Sequence, residues 1–352
     1  MKAGPSPFTL VPFPHSPALD GCHCVTSALA KIYLHAGHPL SEEMLLGLGA
    51  GMGFIYWQMK LGAGTYIFVG GRCSSKHFYP DLGRRTGVAI KEITTSSAAK
   101  AEAALLEKLA EKRPVMLGGD MGLLPWFSFP IEYHFGGHAF VICGYDGAQT
   151  LLGSDLDQHM AGRKKGFYAP ITLEQLRKVR GSTHKPFPPK NLRLEFDFSH
   201  FRAPGAKEIA EAIAQAADAH LNPPIKNFGI RGMRHTAQQI LLWPRIFSAH
   251  ELCMNLFNLY IFIEIGGTGG GCFRAMYARF LEEAAGIARK PVLAEAAQVF
   301  HESARRFTAI ALLFKEPRST EDLAEKIQIA SQSFNEIAGI EEEAWRLLAR
   351  CR

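Results

Sequence analysis

The sequence contains no CxxC pair, no run of five or more basic residues, and no apolar stretch long enough to span a bilayer. Each absence removes a class of function. The seven cysteines, at positions 22, 24, 73, 143, 253, 272 and 351, are odd in number and irregularly spread. A disulfide framework is therefore not expected, and buried free thiols are the default. Scattered lysines and arginines argue against nucleic-acid binding. The N-terminus, MKAGPSPFTLVPFPHSP, has one lysine and no long apolar core, and so does not read as a signal peptide. The most apolar later segment, Leu252 to Ile265, falls short of the roughly 20 residues a helical span needs and carries Asn255, Asn258 and Glu264. These features lead us to expect a cytoplasmic protein without membrane association. No internal repeat of roughly 20–50 residues points to a solenoid.

What is present suits two domains. A chain of 352 residues is long for one core, and 47% hydrophobic with 20% charged residues can fill two ordinary ones. The formal charge of +6 favours an acidic partner, such as an acidic carrier protein or a phosphate-bearing substrate. Residues 24–37 have helical periodicity and stop at a glycine. Ser41, Glu42 and Glu43 open a second helix with Ser41 as N-cap. Glycines 47, 49, 51 and 53 predict an irregular, tightly turned segment. A helix is expected over 98–112, and strands over 115–118, 139–143, 150–152 and 192–198. Residues 183–206, rich in proline, lysine and aromatics, mark a boundary. Beyond it the pattern is helical, with candidates at 206–220, 230–241, 248–264, 271–287, 291–314 and 319–349. The expected division is 1–200 and 201–352.

Two groups of residues carry chemistry. Asp20-Gly21-Cys22-His23-Cys24 runs directly into the first helix. A thiol at a helix N-terminus feels the positive end of the macrodipole, which favours the thiolate. A lone cysteine is more often a small core residue, so the second group decides. Gly136-Gly137-His138 precedes an apolar strand, the two glycines leaving room for close substrate approach, and Ser154-Asp155 follows the next one. Asp155 can then fix the tautomer of His138, which takes the proton of Cys24 for attack on an acyl carbon. Asp146 and Asp157 are alternatives for the orienting acid. Zinc held by Cys22, His23, Cys24 and His138 is a rival use of the same atoms, but CxC is a poor two-ligand bite, and no metal is expected. The glycine string 266–271 lacks the Lys-Ser/Thr of a phosphate loop and reads as a helix-to-helix turn with close packing. The aromatic clusters Phe54–Trp57 and Leu123–Phe127 read first as core and second as walls of a substrate groove, with Tyr56 and Trp57 the named candidates.

Taken together, these motifs resemble the butirosin-biosynthesis protein H family over nearly the whole length. The N-terminal likeness runs through Gly21 to Cys24, Ser41 to Gly53, Gly119-Asp120-Met121 with Leu124-Pro125, and Gly137-His138 to Asp146. The C-terminal likeness, to a helical domain of unknown function, runs through Gly267 to Gly270, Phe273-Arg274, Tyr277 and Phe280 to Glu283. The resemblance implies an α+β chain: a papain-like cysteine-protease fold in the N-terminal domain and an all-α C-terminal domain. It implies an acyltransferase moving an aminoacyl group from a carrier-protein thioester to an amine, with the thiol on Cys24, the histidine on His138 and the acid on Asp155. Papain-like peptidases usually place a glutamine shortly before the thiol to stabilise the oxyanion. Pro17, Ala18 and Leu19 occupy that stretch here, so the oxyanion would need the Cys24 backbone N–H and another donor, His23 or Asp20 through its backbone, with Asp120 a further oxyanion or substrate candidate.

The expectation is thus a thiol acyltransferase with no bound cofactor. Its donor is a phosphopantetheine thioester on an acyl carrier protein or coenzyme A, its acceptor is a small-molecule amine, and a homodimer is a candidate assembly. A cysteine hydrolase, an amidase or peptidase, is the first alternative. A non-catalytic binding or scaffold protein is the second.

Overall fold

The computed structural model describes residues 9–10, 20–61, 64–72, 75–129, 133–158, 161–317 and 323–350. Cys73, Cys351, the Pro17–Leu19 stretch and the first residues of the helix expected at 319–349 lie outside the described residues. In chain order the elements are β1 (Thr9–Leu10), α1 (Cys24–His35), α2 (Glu42–Leu48), β2 (Met52–Leu61), β3 (Gly64–Arg72), α3 (Ser75–Thr86), β4 (Ala89–Ile93), α4 (Ala98–Ala110), β5 (Val115–Gly119), β6 (His138–Tyr145), β7 (Thr150–Leu156), β8 (Gly166–Thr172), α5 (Leu173–Gly181) and β9 (Arg193–Asp197). Helices follow: α6 (Ala206–Leu221), α7 (Gly229–Ile240), α8 (Trp243–Ile246), α9 (Ala249–Tyr260), α10 (Arg274–Ala288), α11 (Pro291–Leu313) and α12 (Leu323–Ala349). The chain is mixed α/β with a helical C-terminal region.

Two compact units emerge, and they are discontinuous where a single cut at residue 200 had been expected. One comprises Met1–Glu42, Gly87–Gln158 and Lys164–Arg202; the other takes Glu43–Thr86, His159–Arg163 and Ala203–Arg352. The hairpin of β2 and β3 therefore belongs to the second unit, which is not all-α.

The first unit is built on an antiparallel sheet of order β4-β9-β5-β6-β7-β8, with β1 pairing the far end of β6. β6 is central and buried almost throughout, as its apolar run Ala139–Cys143 requires. A core of Leu105 and Leu109 from α4, Leu117, Phe140, Ile142, Leu151 and Ile171 from the sheet, and Leu173, Leu176 and Val179 from α5 fills one side. Each such side chain contributes roughly 1.5–3 kcal/mol by leaving water. α1 packs against β6, β5 and β7. Its end is set by Gly37, whose φ of 82° lets the Gly37 and His38 amides bond back to the Leu34 and Tyr33 carbonyls at 3.0 and 2.9 Å.

In the second unit the organising group is Arg274, wholly buried at the start of α10. Its guanidinium makes a bidentate pair with Glu341 of α12, at 2.9 and 3.2 Å, and donates to the Gly53 and Cys272 carbonyls at 2.7 and 2.9 Å. Ser303 donates to the same carboxylate. The rings of Phe307 and Phe54 lie 4.8 and 5.9 Å from the guanidinium carbon. The glycine string 266–271 is the turn leading into this point; Gly267, Gly269, Gly270 and Gly271 all have positive φ.

A buried ion pair that loses one partner leaves an uncompensated charge. Arg274→Met is accordingly expected to lower stability by about 3–5 kcal/mol, read as a drop in the urea midpoint without loss of Cys24 reactivity per folded molecule.

Candidate active site

Cys24 is the first residue of α1, and the segment before the helix is tied down from several directions. Gly21 forms a two-stranded bridge with Lys164, with N···O distances of 3.0 and 2.6 Å. A side chain at position 21 would come within 2.4 Å of Glu42 Oε1, so only glycine permits this approach. The buried Glu42 carboxylate accepts from the amides of Cys22 and His23 at 2.8 and 3.2 Å, and from the Thr26 hydroxyl at 2.7 Å. The His23 imidazole caps the helix, its Nδ1 accepting from the Thr26 amide at 3.3 Å. With the Cys22 and His23 amides held by Glu42, the Cys24 N–H is one of the first-turn amides left without an intrahelical acceptor.

His138 opens β6 and Asp155 lies near the end of β7. Val141 pairs with Ser154, so one step along the ladder Phe140 faces Asp155, and His138 is its diagonal neighbour on the same face. That register produces the 2.8 Å bond between His138 Nε2 and Asp155 Oδ2. Trp126 Nε1 donates to the same oxygen at 3.0 Å, and the Leu156 amide to Oδ1 at 2.8 Å. Phe127 stands edge-on to the His138 ring at 5.7 Å, and Phe140 lies parallel to it at 6.3 Å. With Nε2 held by Asp155, Nδ1 is the nitrogen left to face the thiol.

The Cys24 thiol interacts with both the His138 and His23 imidazoles. Burial pushes its pKa up, but the His23 charge, the bond to His138 and the bond to His23 together bring it well below the ordinary thiol range. Burial likewise pushes His138 down, and the Asp155 carboxylate and the Cys24 sulfur overcome it, holding the imidazole charged above its ordinary value. An imidazolium–thiolate pair at neutral pH follows from both directions. Even so, the Cys24 side chain is only partly buried, whereas Cys22 and Cys143 are enclosed.

Residues 23–155 match the family model described as butirosin biosynthesis protein H, N-terminal, and residues 174–348 match one described as a domain of unknown function, DUF4872. The match places the N-terminal region, less than half of the chain, with the butirosin biosynthesis protein H N-terminal family. No curated protein matches the chain.

The structure brings Cys24, His138 and Asp155 together, and it is Asp155 that bonds the histidine. Asp146 spans its own turn, accepting from the amides of Ala148, Gln149 and Thr150 at 2.8, 3.0 and 3.0 Å. Asp157 lies two residues past Asp155, where its amide bonds the Lys165 carbonyl. Asp20 uses its carboxylate to hold the start of β8, through the Gly166 amide at 3.0 Å and Lys165 Nζ at 3.1 Å. Asp120 accepts from Ser182, His134 and the amides of Phe135 and Gly122, so it closes the loop that leads to His138 rather than offering a donor. The His23 amide is taken by Glu42. Tyr56 and Trp57 are on β2 of the second unit. Tyr56 is buried with its hydroxyl toward Trp243, and Trp57 is 41% exposed. Gly136 has a packing reason instead of a substrate-approach one: a Cβ there would meet the Phe187 carbonyl oxygen at 2.0 Å. Among the described residues no group of three or more His, Cys, Asp or Glu side chains is arranged to hold a metal ion. Nor is any described helix long and apolar enough to cross a membrane.

Two side chains close to the site, Glu42 and Lys31, were not singled out for it from sequence; Trp126 lies in the Leu123–Phe127 segment and holds Asp155 rather than lining a groove. Lys31 offered a signal, being a lysine two turns after Cys24 on the face that also carries Ala28, and it is buried where Asp155 and Glu42 counter its desolvation.

Two outcomes are expected. Thiolate is present above the lowered Cys24 pKa and imidazolium below the raised His138 pKa, so alkylation of Cys24 by iodoacetamide should be nearly flat through neutral pH. It should decline only as pH falls through the depressed thiol value, unlike a free cysteine control, which loses thiolate below about 8.5. Peptide mass mapping across a pH series reads this directly. Second, Glu42→Ala strands two buried amides and a hydroxyl and should cost roughly 3 kcal/mol, seen as a lower thermal midpoint, with Glu42→Gln intermediate.

Proposed function

We propose that the N-terminal region is a papain-like thiol acyltransferase domain of secondary-metabolite biosynthesis, with Cys24 as nucleophile, His138 as proton shuttle and Asp155 as the group that orients the histidine. The carrying observation is the chain of contacts Cys24–His138–Asp155 with a depressed thiol and a raised imidazole. The family name ties the N-terminal model to butirosin biosynthesis, an antibiotic pathway. As stretches of sequence rather than as compact units, the reading is a papain-like region over 1–200, whose β2–β3 hairpin folds into the second unit, and a helical region over 201–352.

The reaction runs in two halves. The Cys24 thiolate adds to the carbonyl carbon of a thioester, the carbonyl pair moves to oxygen, and collapse expels the donor thiolate, which takes the proton from His138. The now neutral imidazole removes a proton from an incoming amine as it attacks the acyl-enzyme, and the second collapse returns the proton to Cys24 with release of the amide. Asp155 keeps the Nδ1 edge toward sulfur throughout and stabilises the imidazolium without taking its proton. No metal or redox group enters these steps. The donor is a phosphopantetheine thioester delivered by an acyl carrier protein or coenzyme A; the acceptor is a small-molecule amine.

Intact mass after incubation with acyl thioesters tests the reading. Wild-type protein should gain one acyl group at Cys24, discharged faster by added amine than by water. Cys24→Ala should gain none, and His138→Ala or Asp155→Asn should slow acylation by about 10³–10⁴-fold. Discharge by water alone, indifferent to amines, makes the protein a hydrolase. Absence of any adduct on a protein whose Cys24 is still alkylated leaves the scaffold reading standing and ends this one.

A further inference from the structure

The carboxylate of Asp155 is shared. Its Oδ2 atom accepts from His138 Nε2 at 2.8 Å and from Trp126 Nε1 at 3.0 Å, while Oδ1 takes the Leu156 amide at 2.8 Å. The indole thus bonds the same oxygen that holds the imidazole. Its seat is built by the sheet. His138 and Phe140 of β6, Gly153 and Asp155 of β7, and Phe167 of β8 stand on one face. The Phe140 and Phe167 rings meet the indole edge-on at 5.8 and 6.3 Å. A Cβ at position 153 would come within 2.8 Å of Trp126 Cη2, so the strand carries glycine where the indole approaches it.

A phenylalanine in this seat would fill most of the same space; what tryptophan adds is a donor. The donor has a consequence for proton transfer. Burial lowers the His138 pKa, and the Asp155 carboxylate and the Cys24 sulfur raise it to about 10. In the first half of the reaction this imidazolium must protonate a departing thiolate, whose ordinary pKa is about 8.5. The transfer runs uphill, and further uphill the more tightly Asp155 grips the ring. Each hydrogen bond to a carboxylate stabilises its charge and weakens its pull on other protons.

We propose, resting on the acyl-transfer reading, that Trp126 is a positioning residue that sets the strength of the Asp155–His138 bond: its N–H takes up part of the charge on Oδ2, and the imidazolium releases its Nδ1 proton more readily to the departing thiolate. The proton on Nε2 stays with Asp155, and Trp126 itself exchanges none. Other charged and titratable groups surround the pair. α1 presents Cys24 and Lys31, with His23 before it and Glu42 beyond, and Tyr133 and Lys164 lie in the field of the sulfur. Removing the indole N–H leaves all of these in place.

The sign of two titrations separates this role from simple support. Trp126→Phe leaves a ring in the seat and removes the N–H. Exchange of the Trp126 indole for the nearly isosteric benzothiophene does the same and guards against misfolding of the phenylalanine variant. Iodoacetamide alkylation across pH reports the thiol. The ring resonances of His138, identified by their loss in His138→Gln, report the imidazole. Without the N–H the pull of Asp155 strengthens. The two apparent pKa values of the Cys24–His138 pair should then move apart, the thiol lower and the imidazole higher, each by about half a unit. At neutral pH, acylation by an acyl thioester should slow about three- to tenfold while alkylation changes by less than about twofold. If Trp126 merely props Asp155, its loss loosens the bond to His138 and the two values move toward each other. That result, or no movement, overturns the proposal. A wild-type protein that is alkylated but never acylated ends the acyl-transfer reading; the two titrations then still decide whether Trp126 sets the strength of the bond.

Discussion

The 2.8 Å bond between His138 Nε2 and Asp155 is the constraint on which the site depends. Burial by itself favours an uncharged thiol and an uncharged imidazole, and would leave Cys24 an inert core cysteine. A fixed carboxylate reverses that preference for the histidine, and the His23 charge, joined by His138, reverses it for the sulfur. The bond in turn depends on sheet register. A slip of one residue between β6 and β7 would carry Asp155 to the opposite face from His138. Trp126 and the Leu156 amide use the carboxylate's remaining capacity, so the acid can neither rotate away nor be drawn off by water.

A carboxylate in this position has to be compensated, and the local charges show how. Asp155 and Glu42 are two buried acids near the first turns of α1, and each holds something the chemistry needs: the imidazole in one case, the Cys22–Cys24 turn in the other. Lys31 lies on the same helix within the field of both. Burial lowers its pKa, and the two anions counter part of that cost. Glu42 does the work that a second helix N-cap would do, but it reaches across from another segment. That makes the position of the nucleophile a tertiary property.

Much of this was legible in the sequence because it rests on short-range patterns. α1 followed from its periodicity and its terminal glycine; β6 followed from an unbroken apolar run; and the Cys24, His138 and Asp155 combination followed from one thiol at a helix start and two polar residues at strand ends. The choice of Asp155 over Asp146 or Asp157 was not legible, since it turns on which cross-strand neighbour the ladder delivers. The hairpin of β2 and β3 was hidden by glycines that read as turns. Residues 47–53 in fact carry the end of one helix and the start of a ten-residue strand. Lys164 and Gly21 are brought together by a bridge between segments far apart in the chain, and no spacing rule reports such a pair. Tyr56 and Trp57 were drawn to the site by their composition alone, whereas the contacts of Tyr56 with Trp243 and His235 are those of a core residue in the second unit.

The chemistry of the donor is where these particulars converge. An amide substrate demands two things of a thiol enzyme: strong oxyanion stabilisation, and protonation of an amine that leaves poorly. A thioester demands less of both, because its carbonyl is already activated and its leaving thiolate is a weak base. Under the reading proposed above, a site lacking the usual glutamine suits the lighter demand. A thiol held well below its ordinary range is also a good leaving group from its own acyl-enzyme, which favours discharge over accumulation of the intermediate.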